Sequence, residues 1–123
     1  MLDIDFNDIN FKTREYNDFV SYGQSKTCNI LFSIGLTKRY SSEEVYSNAV
    51  MPGVIMTNLQ RHLNKEELIE KGVMDENGNF KLKLKSIEAG ASTTVWAATA
   101  PELNGLGGLY LENCRISEQR NSI

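Results

Sequence analysis

The longest regular run of apolar positions lies in DFVSYGQSKTCNILFSIGLTKRY, residues 18–40. Phe19, Tyr22, Ile30, Leu31 and Ile34 recur near the helical period, and no proline interrupts them. Asp18 suits the position before a helix, where a carboxylate accepts orphan backbone N–H groups. Lys38 and Arg39 fall in the last turn, at the negative end of the helix dipole. The spacing predicts a long helix over 18–40. Gly23 and Gly35 each weaken it by about 1 kcal/mol relative to alanine. Small residues there would let another helix approach closely.

The remaining segments are shorter. Residues 1–16 are polar, with isolated Ile4, Phe6, Ile9 and Phe11 and no strong period, and read as an extended or irregular lead-in. SSEE breaks the long helix, and VYSNAVMPG (Val45 to Gly53) reads as a strand that stops at Pro52-Gly53. MTNLQRHLNKEELIEKG, residues 56–72, predicts one or two short helices, with Asn64 capping the second and Gly72 near its end. Residues 73–85 form a polar insert with an Asn77-Gly78 turn and the makings of a small hairpin. SIEAGASTTVWAATA predicts a helix that stops before Pro101, and LGGLYLENCRI (Leu106 to Ile116) a second strand entered through glycines. Helix, strand, short helices, helix, strand is an α/β order. Its natural assembly is two neighbouring parallel strands joined by a right-handed helical crossover, with the long helix alongside.

Bulk properties narrow the class. The 123 residues suffice for one small domain, with 41% hydrophobic and 24% charged residues. The net charge of −3 is spread without a basic stripe or polybasic block, so neither nucleic acid nor an anionic membrane surface is expected as a partner. Two cysteines far apart, Cys28 and Cys114, read as free thiols in a reducing compartment, and Cys114 as a buried small apolar residue. One histidine cannot complete zinc-site spacing with them, and no metal is expected. MLDIDFND carries three aspartates where a signal peptide carries basic and then apolar residues. No stretch approaches the length of a membrane span. The expected location is cytoplasmic.

The candidate chemistry sits in the long helix. Tyr22 and Lys26 are four apart, on one helix face one turn from each other. A phenol of pKa about 10 is a poor proton carrier at neutral pH, and a neighbouring ammonium favours the phenolate. Such a pair serves proton transfer to a carbonyl or alcohol oxygen while hydride moves at carbon. The same spacing also arises by chance on many helices. Pro52-Gly53 adds weight, because open α/β sheets bind ligands at the C-terminal ends of strands, and Thr57 follows with a hydroxyl. Alone, that pattern reads as a structural turn with a capping threonine. The polar insert lacks the glycine placement and terminal glutamate of a calcium loop. His62 beside Arg61 reads as a helix-surface residue, Met51 and Met56 as pocket lining or core, and Trp96 as packing on the last helix.

YGQSKTCNILF, NAVMPGVIMTNL and AGASTTVWAATAPELNGLGGLYLENC together resemble the C-terminal half of the short-chain dehydrogenase/reductase family, in the branch of the retinol dehydrogenases and the WW-domain-containing oxidoreductase. The similarity also takes in IDFNDINF before the helix. It implies the C-terminal half of a doubly wound Rossmann-like parallel sheet, incomplete without its N-terminal half, as a single partial domain over 1–123. It implies NAD or NADP as cofactor and a lipophilic alcohol or carbonyl, such as a retinoid or steroid, as substrate. Tyr22 matches the catalytic acid/base. Lys26 matches the lysine that holds the ribose hydroxyls and lowers the tyrosine pKa. Pro52 and Gly53 match the turn beside the nicotinamide. The Ile55 backbone would face the carboxamide, and Thr57 the carboxamide or the pyrophosphate region. The long helix matches one that pairs subunits, so a homo- or hetero-oligomer is expected.

Several family features are missing from these residues. No TGxxxGxG turn is present, and GLGG at 105–108 enters a strand instead. The NNAG stretch is absent. The family's active-site serine and asparagine fall upstream of Met1, and neither Ser21 nor Ser25 substitutes. The expectation is a C-terminal portion that is inactive alone. Two alternatives stay open: a shortened, non-catalytic chain acting as a dimerisation or regulatory partner of a full-length relative, or a pseudogene product.

Overall fold

The computed structural model describes residues 2–55, 57, 65–70, 72–81 and 83–118. The chain forms two compact units. The first comprises Met1–Ala49, Pro101–Tyr110 and Glu118–Ile123, and the second Val50–Ala100 and Leu111–Ser117.

The first unit is organised on α1, Asp18–Tyr40, the span that the apolar period predicts. Asn17 is its cap, one residue earlier than expected: the Asn17 side chain accepts from Val20 N–H at 3.0 Å. Asp18 is the first helical residue, and its carboxylate accepts from Phe19 N–H at 2.9 Å. Ile30 and Ser33 are buried on α1, and Leu103 and Leu109 supply further buried apolar side chains of this unit. After α1 the chain turns through Ser41–Glu43 and a left-handed Glu44, φ 60°.

Strand β1 is shorter than expected, Ala49–Met51 instead of 45–53. Before it, Gly108 N–H donates to Ser47 O at 2.7 Å, and side chains supply further bonds. Thr37 Oγ1 donates to Ser47 O at 3.0 Å and accepts from Ser47 N–H at 2.9 Å. Asn48 accepts from Leu109 N–H through Oδ1 at 2.9 Å and donates to Leu106 O at 3.2 Å. Regular pairing begins only at Ala49, whose N–H donates to Leu109 O at 2.9 Å.

In the second unit, α2 is Lys65–Glu70 and α3 is Ile87–Thr99. Ser86 caps α3 by accepting from Ala89 N–H at 3.1 Å, and the helix ends before Pro101 as expected. The other predicted short helix, with His62, and Asn64, the expected cap of α2, lie outside the described residues. The insert forms the expected turn: Met74 and Phe80 pair across it, and the Asp75 carboxylate accepts from Asn79 N–H at 2.7 Å. The backbone and side-chain donors of Asn79 hold the Asp75 carboxyl below its ordinary value.

The predicted second strand is in fact a hairpin. Strands β2, Tyr110–Glu112, and β3, Arg115–Ile116, pair antiparallel with Leu111 opposite Ile116 and Glu112 opposite Arg115. Asn113 and Cys114 turn the chain with φ 50° and 54°, the positive values a two-residue hairpin loop requires. The sheet order is β1-β2-β3, so the two expected neighbours are adjacent and β3 adds an antiparallel edge. Leu111 and Thr93 are fully buried in the second unit, and Leu68 and Met74 are nearly so.

Candidate functional site

A helix turns about 100° per residue, so YGQSK and the threonine after it divide between two sides of α1. Gly23, Gln24 and Thr27 fall on one side and Tyr22, Ser25 and Lys26 on the other. The first side is covered. Leu2 lies against Gly23 so closely that a Cβ there would collide with its side chain. Close approach at Gly23 thus serves residue 2 of the same unit, not a second helix. Gln24, 5% exposed, donates to Asp3 O at 3.0 Å and accepts from Arg14 Nη2 at 3.1 Å. Thr27 donates to Leu2 O at 2.8 Å.

The second side is open. Tyr22 is 60% exposed, and Lys26 is exposed beside it with Nζ 5.0 Å from the centroid of the Tyr22 ring. Ser25 Oγ donates to Tyr22 O at 2.7 Å, so this hydroxyl is spent on the helix backbone. The arrangement presents a phenol to solvent with an ammonium held over its ring by the one-turn spacing.

Residues 2–16 form turns and bends without helix or strand, the irregular lead-in expected from their composition. They wind around the Asp8 carboxylate, which accepts from Lys12 N–H at 2.6 Å, Thr13 N–H at 3.0 Å, Thr13 Oγ1 at 2.8 Å and Arg14 N–H at 3.0 Å. Burial acts to raise the Asp8 carboxyl. The combined donors outweigh it and hold the group well below the usual carboxylate range. Phe11, at φ 52°, closes the turn, and the Arg14 guanidinium stacks 4.1 Å over its ring. Sequence reasoning missed Asp8, Arg14 and Gln24. The visible signal was an aspartate followed within six residues by a threonine and an arginine.

The other predicted site residues belong to the second unit. Pro52 is exposed at the end of β1, and Gly53 is half-buried with φ 95°. A Cβ on Gly53 would stand 2.8 Å from Lys85 Cδ, because the lysine stem crosses this turn. Lys85 N–H donates to Val54 O at 2.9 Å, and its ammonium donates to Asn113 Oδ1 at 2.7 Å. Ile55 pairs with Lys85 in a parallel bridge and packs on Gly90 of α3. Thr57 is exposed. Tyr22 and Lys26 are thus together on one helix, and Pro52, Gly53 and Ile55 together around Lys85. Lys85 is a further residue that sequence reasoning missed.

Among the lesser candidates, Cys114 is exposed, not buried, because it occupies the hairpin turn. Cys28 is half-buried, and both thiols are free. Trp96 is half-buried on α3. Met51 is exposed at 37%, and Met56 and His62 lie outside the described residues.

Comparison with known proteins decides the family. The chain is 42% identical over 111 residues to a Streptomyces lividans protein named "Probable oxidoreductase", and 40% identical over 115 residues to the human WW domain-containing oxidoreductase. It is 40% identical over 102 residues to a short-chain dehydrogenase/reductase of Penicillium roqueforti. This chain belongs to the short-chain dehydrogenase/reductase family. The three matches cover 89%, 90% and 82% of it. It spans 37%, 25% and 29% of those relatives, so this short-chain dehydrogenase/reductase sequence corresponds to about a third of their length or less. No family model matches it, and no solved structure does so with significance. Among the described residues no helix is long and apolar enough to cross a membrane.

Proposed function

We propose that these residues serve an NAD(P)-dependent oxidoreductase that interconverts a lipophilic alcohol and its carbonyl, of retinoid or steroid type. The carrying observation is the Lys26 ammonium 5.0 Å from the Tyr22 ring centroid, on the exposed side of a helix whose other side is fastened down. Tyr22 exchanges a proton with the substrate oxygen through its hydroxyl. Lys26, its ammonium beside the Tyr22 ring, would hold the ribose hydroxyls of the cofactor. When bound, the nicotinamide supplies or removes the hydride. Pro52 and Gly53 would form the turn beside the nicotinamide, the Ile55 backbone would face the carboxamide, and Thr57 the carboxamide or the pyrophosphate region.

In the first unit, a solvated phenol with an ammonium one turn away suits the nicotinamide-ribose end of a dinucleotide. The 123 residues contain no glycine-rich turn of the TGxxxGxG kind for the pyrophosphate. We therefore read them as one partial domain, with 73–85 as a polar insert, inactive by itself. Substituting residues 1–123 for the matching segment of the Streptomyces lividans relative supplies the remainder. That chimera is expected to oxidise or reduce long-chain or polycyclic alcohol–carbonyl pairs with NAD(P). A folded chimera without such activity would sink the reading.

One observation favours a second reading, a non-catalytic pairing partner. Phe32, on the outer surface of α1, is 67% exposed, with Leu31 beside it also exposed. Co-elution of the chain with a full-length relative supports this reading, and a monomer in both the presence and absence of that relative contradicts it.

A further inference from the structure

We infer that residues 2–14 are a positioning clamp that keeps the turn bearing Tyr22 and Lys26 wound and facing outward, with Gln24 as its anchor. The inference rests on the reading of Tyr22 and Lys26 as the reacting pair and extends it to residues that touch neither substrate nor cofactor.

The argument starts from where α1 is held. Its buried residues are Gln24, Ile30 and Ser33. Ahead of Ile30, then, a polar side chain is the buried residue of the helix, and no buried apolar residue anchors its first three turns. Isolated helix ends fray, because their first N–H groups lack intrahelical partners and nucleation is unfavourable. Apolar burial would hold such an end without fixing its rotation. Hydrogen bonds from a rigid neighbour fix both.

The neighbour is rigid in its own right. The four donors on Asp8 close residues 8–14 into one turn. Arg14 then spans out of it: Nη2 donates to Asp8 O at 3.2 Å and to Gln24 Oε1 at 3.1 Å, and Nη1 lies 3.4 Å from Asp5 Oδ2. The Gln24 amide is used at both ends, accepting from Arg14 and donating to Asp3 O. Thr27, one position beyond Lys26, is tied to Leu2 O, and Leu2 fills the space over Gly23. Every one of these ties lands at position 23, 24 or 27, opposite the side that carries Tyr22 and Lys26. The glycine and glutamine inside YGQSK are thus the receiving surface of the clamp.

The test uses the intact chain and reads two quantities. The first is amide exchange at 20–27, with α3 residues 87–99 as internal reference. The second is the Lys26 ε-methylene resonance, which the Tyr22 ring displaces while the two stay one turn apart. Gln24→Leu keeps the bulk and removes both hydrogen bonds. It should speed exchange at 20–27 roughly tenfold and return the Lys26 resonance toward its free position, leaving 87–99 unchanged. Gln24→Glu keeps the acceptor for Arg14 and should recover part of both losses. Should Gln24→Leu not fold, Thr27→Val removes the hydroxyl that bonds Leu2 O and Gly23 O and should show the same two changes at smaller size. Unchanged exchange at 20–27 overturns the clamp, and faster exchange with an unmoved Lys26 resonance overturns its positioning role. The outcome is separate from that of the proposed function: an inactive chimera with an intact Lys26 signal removes the reaction and leaves the clamp.

Discussion

At the scale of single residues, Asp8 and Gly53 make claims that the functional reading does not depend on. Asp8 is ionised and saturated with donors, so its folded pKa lies below the ordinary 3.8. A depressed carboxyl stabilises the fold fully above its unfolded value and loses that contribution as pH falls below it. The thermal midpoint of the first unit should therefore drop as pH falls below 3.8. Asp8→Asn should lower the midpoint at neutral pH and flatten the acid slope; an unchanged slope in a pH series of melts counts against the assignment. Gly53 holds φ 95° under the Lys85 stem. Gly53→Ala should destabilise by roughly 1–2 kcal/mol from the backbone alone, with an added loss from the lysine collision. Adding Lys85→Ala should relieve only the second part in urea titrations. Tyr22 and Lys26 were legible in the sequence because their geometry is local: any helix brings positions four apart together. Asp8 was not, because its donors converge only after Phe11 adopts a positive φ that no propensity foretells. Lys85 was not, because it meets Gly53 and Asn113 from distant parts of the chain.

At the scale of elements, the helices and the Asn77-Gly78 turn were readable, while the strand bounds and the second hairpin were not. The 18–40 period carried through to α1 because many positions share one answer. The cap shifted by one residue because Asn17 and Asp18 are both good N-caps and only one can precede the first turn. β1 is shortened where the Thr37 and Asn48 side chains bond Ser47, Leu109 and Leu106 beside the Gly108–Ser47 backbone bond. The β2–β3 hairpin was read as one strand because its turn is Asn113-Cys114, where a glycine in the second position would have announced it. Cysteine at φ 54° is tolerated but not favoured. Cys114→Gly should leave stability equal or slightly higher, whereas β-branched Cys114→Val should cost about 1–2 kcal/mol. Denaturation of the two variants in parallel checks this, and equal losses in both would contradict the turn.

At the scale of the molecule, the 123 residues carry a Tyr–Lys pair without a glycine-rich phosphate turn, and they match 25% to 37% of each relative's length. The family was legible because several motifs recur together, where YxxxK alone carries little. Substrate and cofactor choice were not, because the residues that accept or refuse a 2′-phosphate follow a glycine-rich turn that these residues do not contain. By itself the chain should give no saturable change in NADH or NADPH fluorescence at micromolar concentrations. The most direct test of the central claim is the steady-state rate of the Streptomyces lividans chimera with and without Tyr22→Phe. Loss of one phenolic proton carrier should lower kcat/KM by about 10²-fold or more, with the folded state intact by circular dichroism. A Tyr22→Phe chimera that retains the parent rate would show that Tyr22 is not the proton carrier.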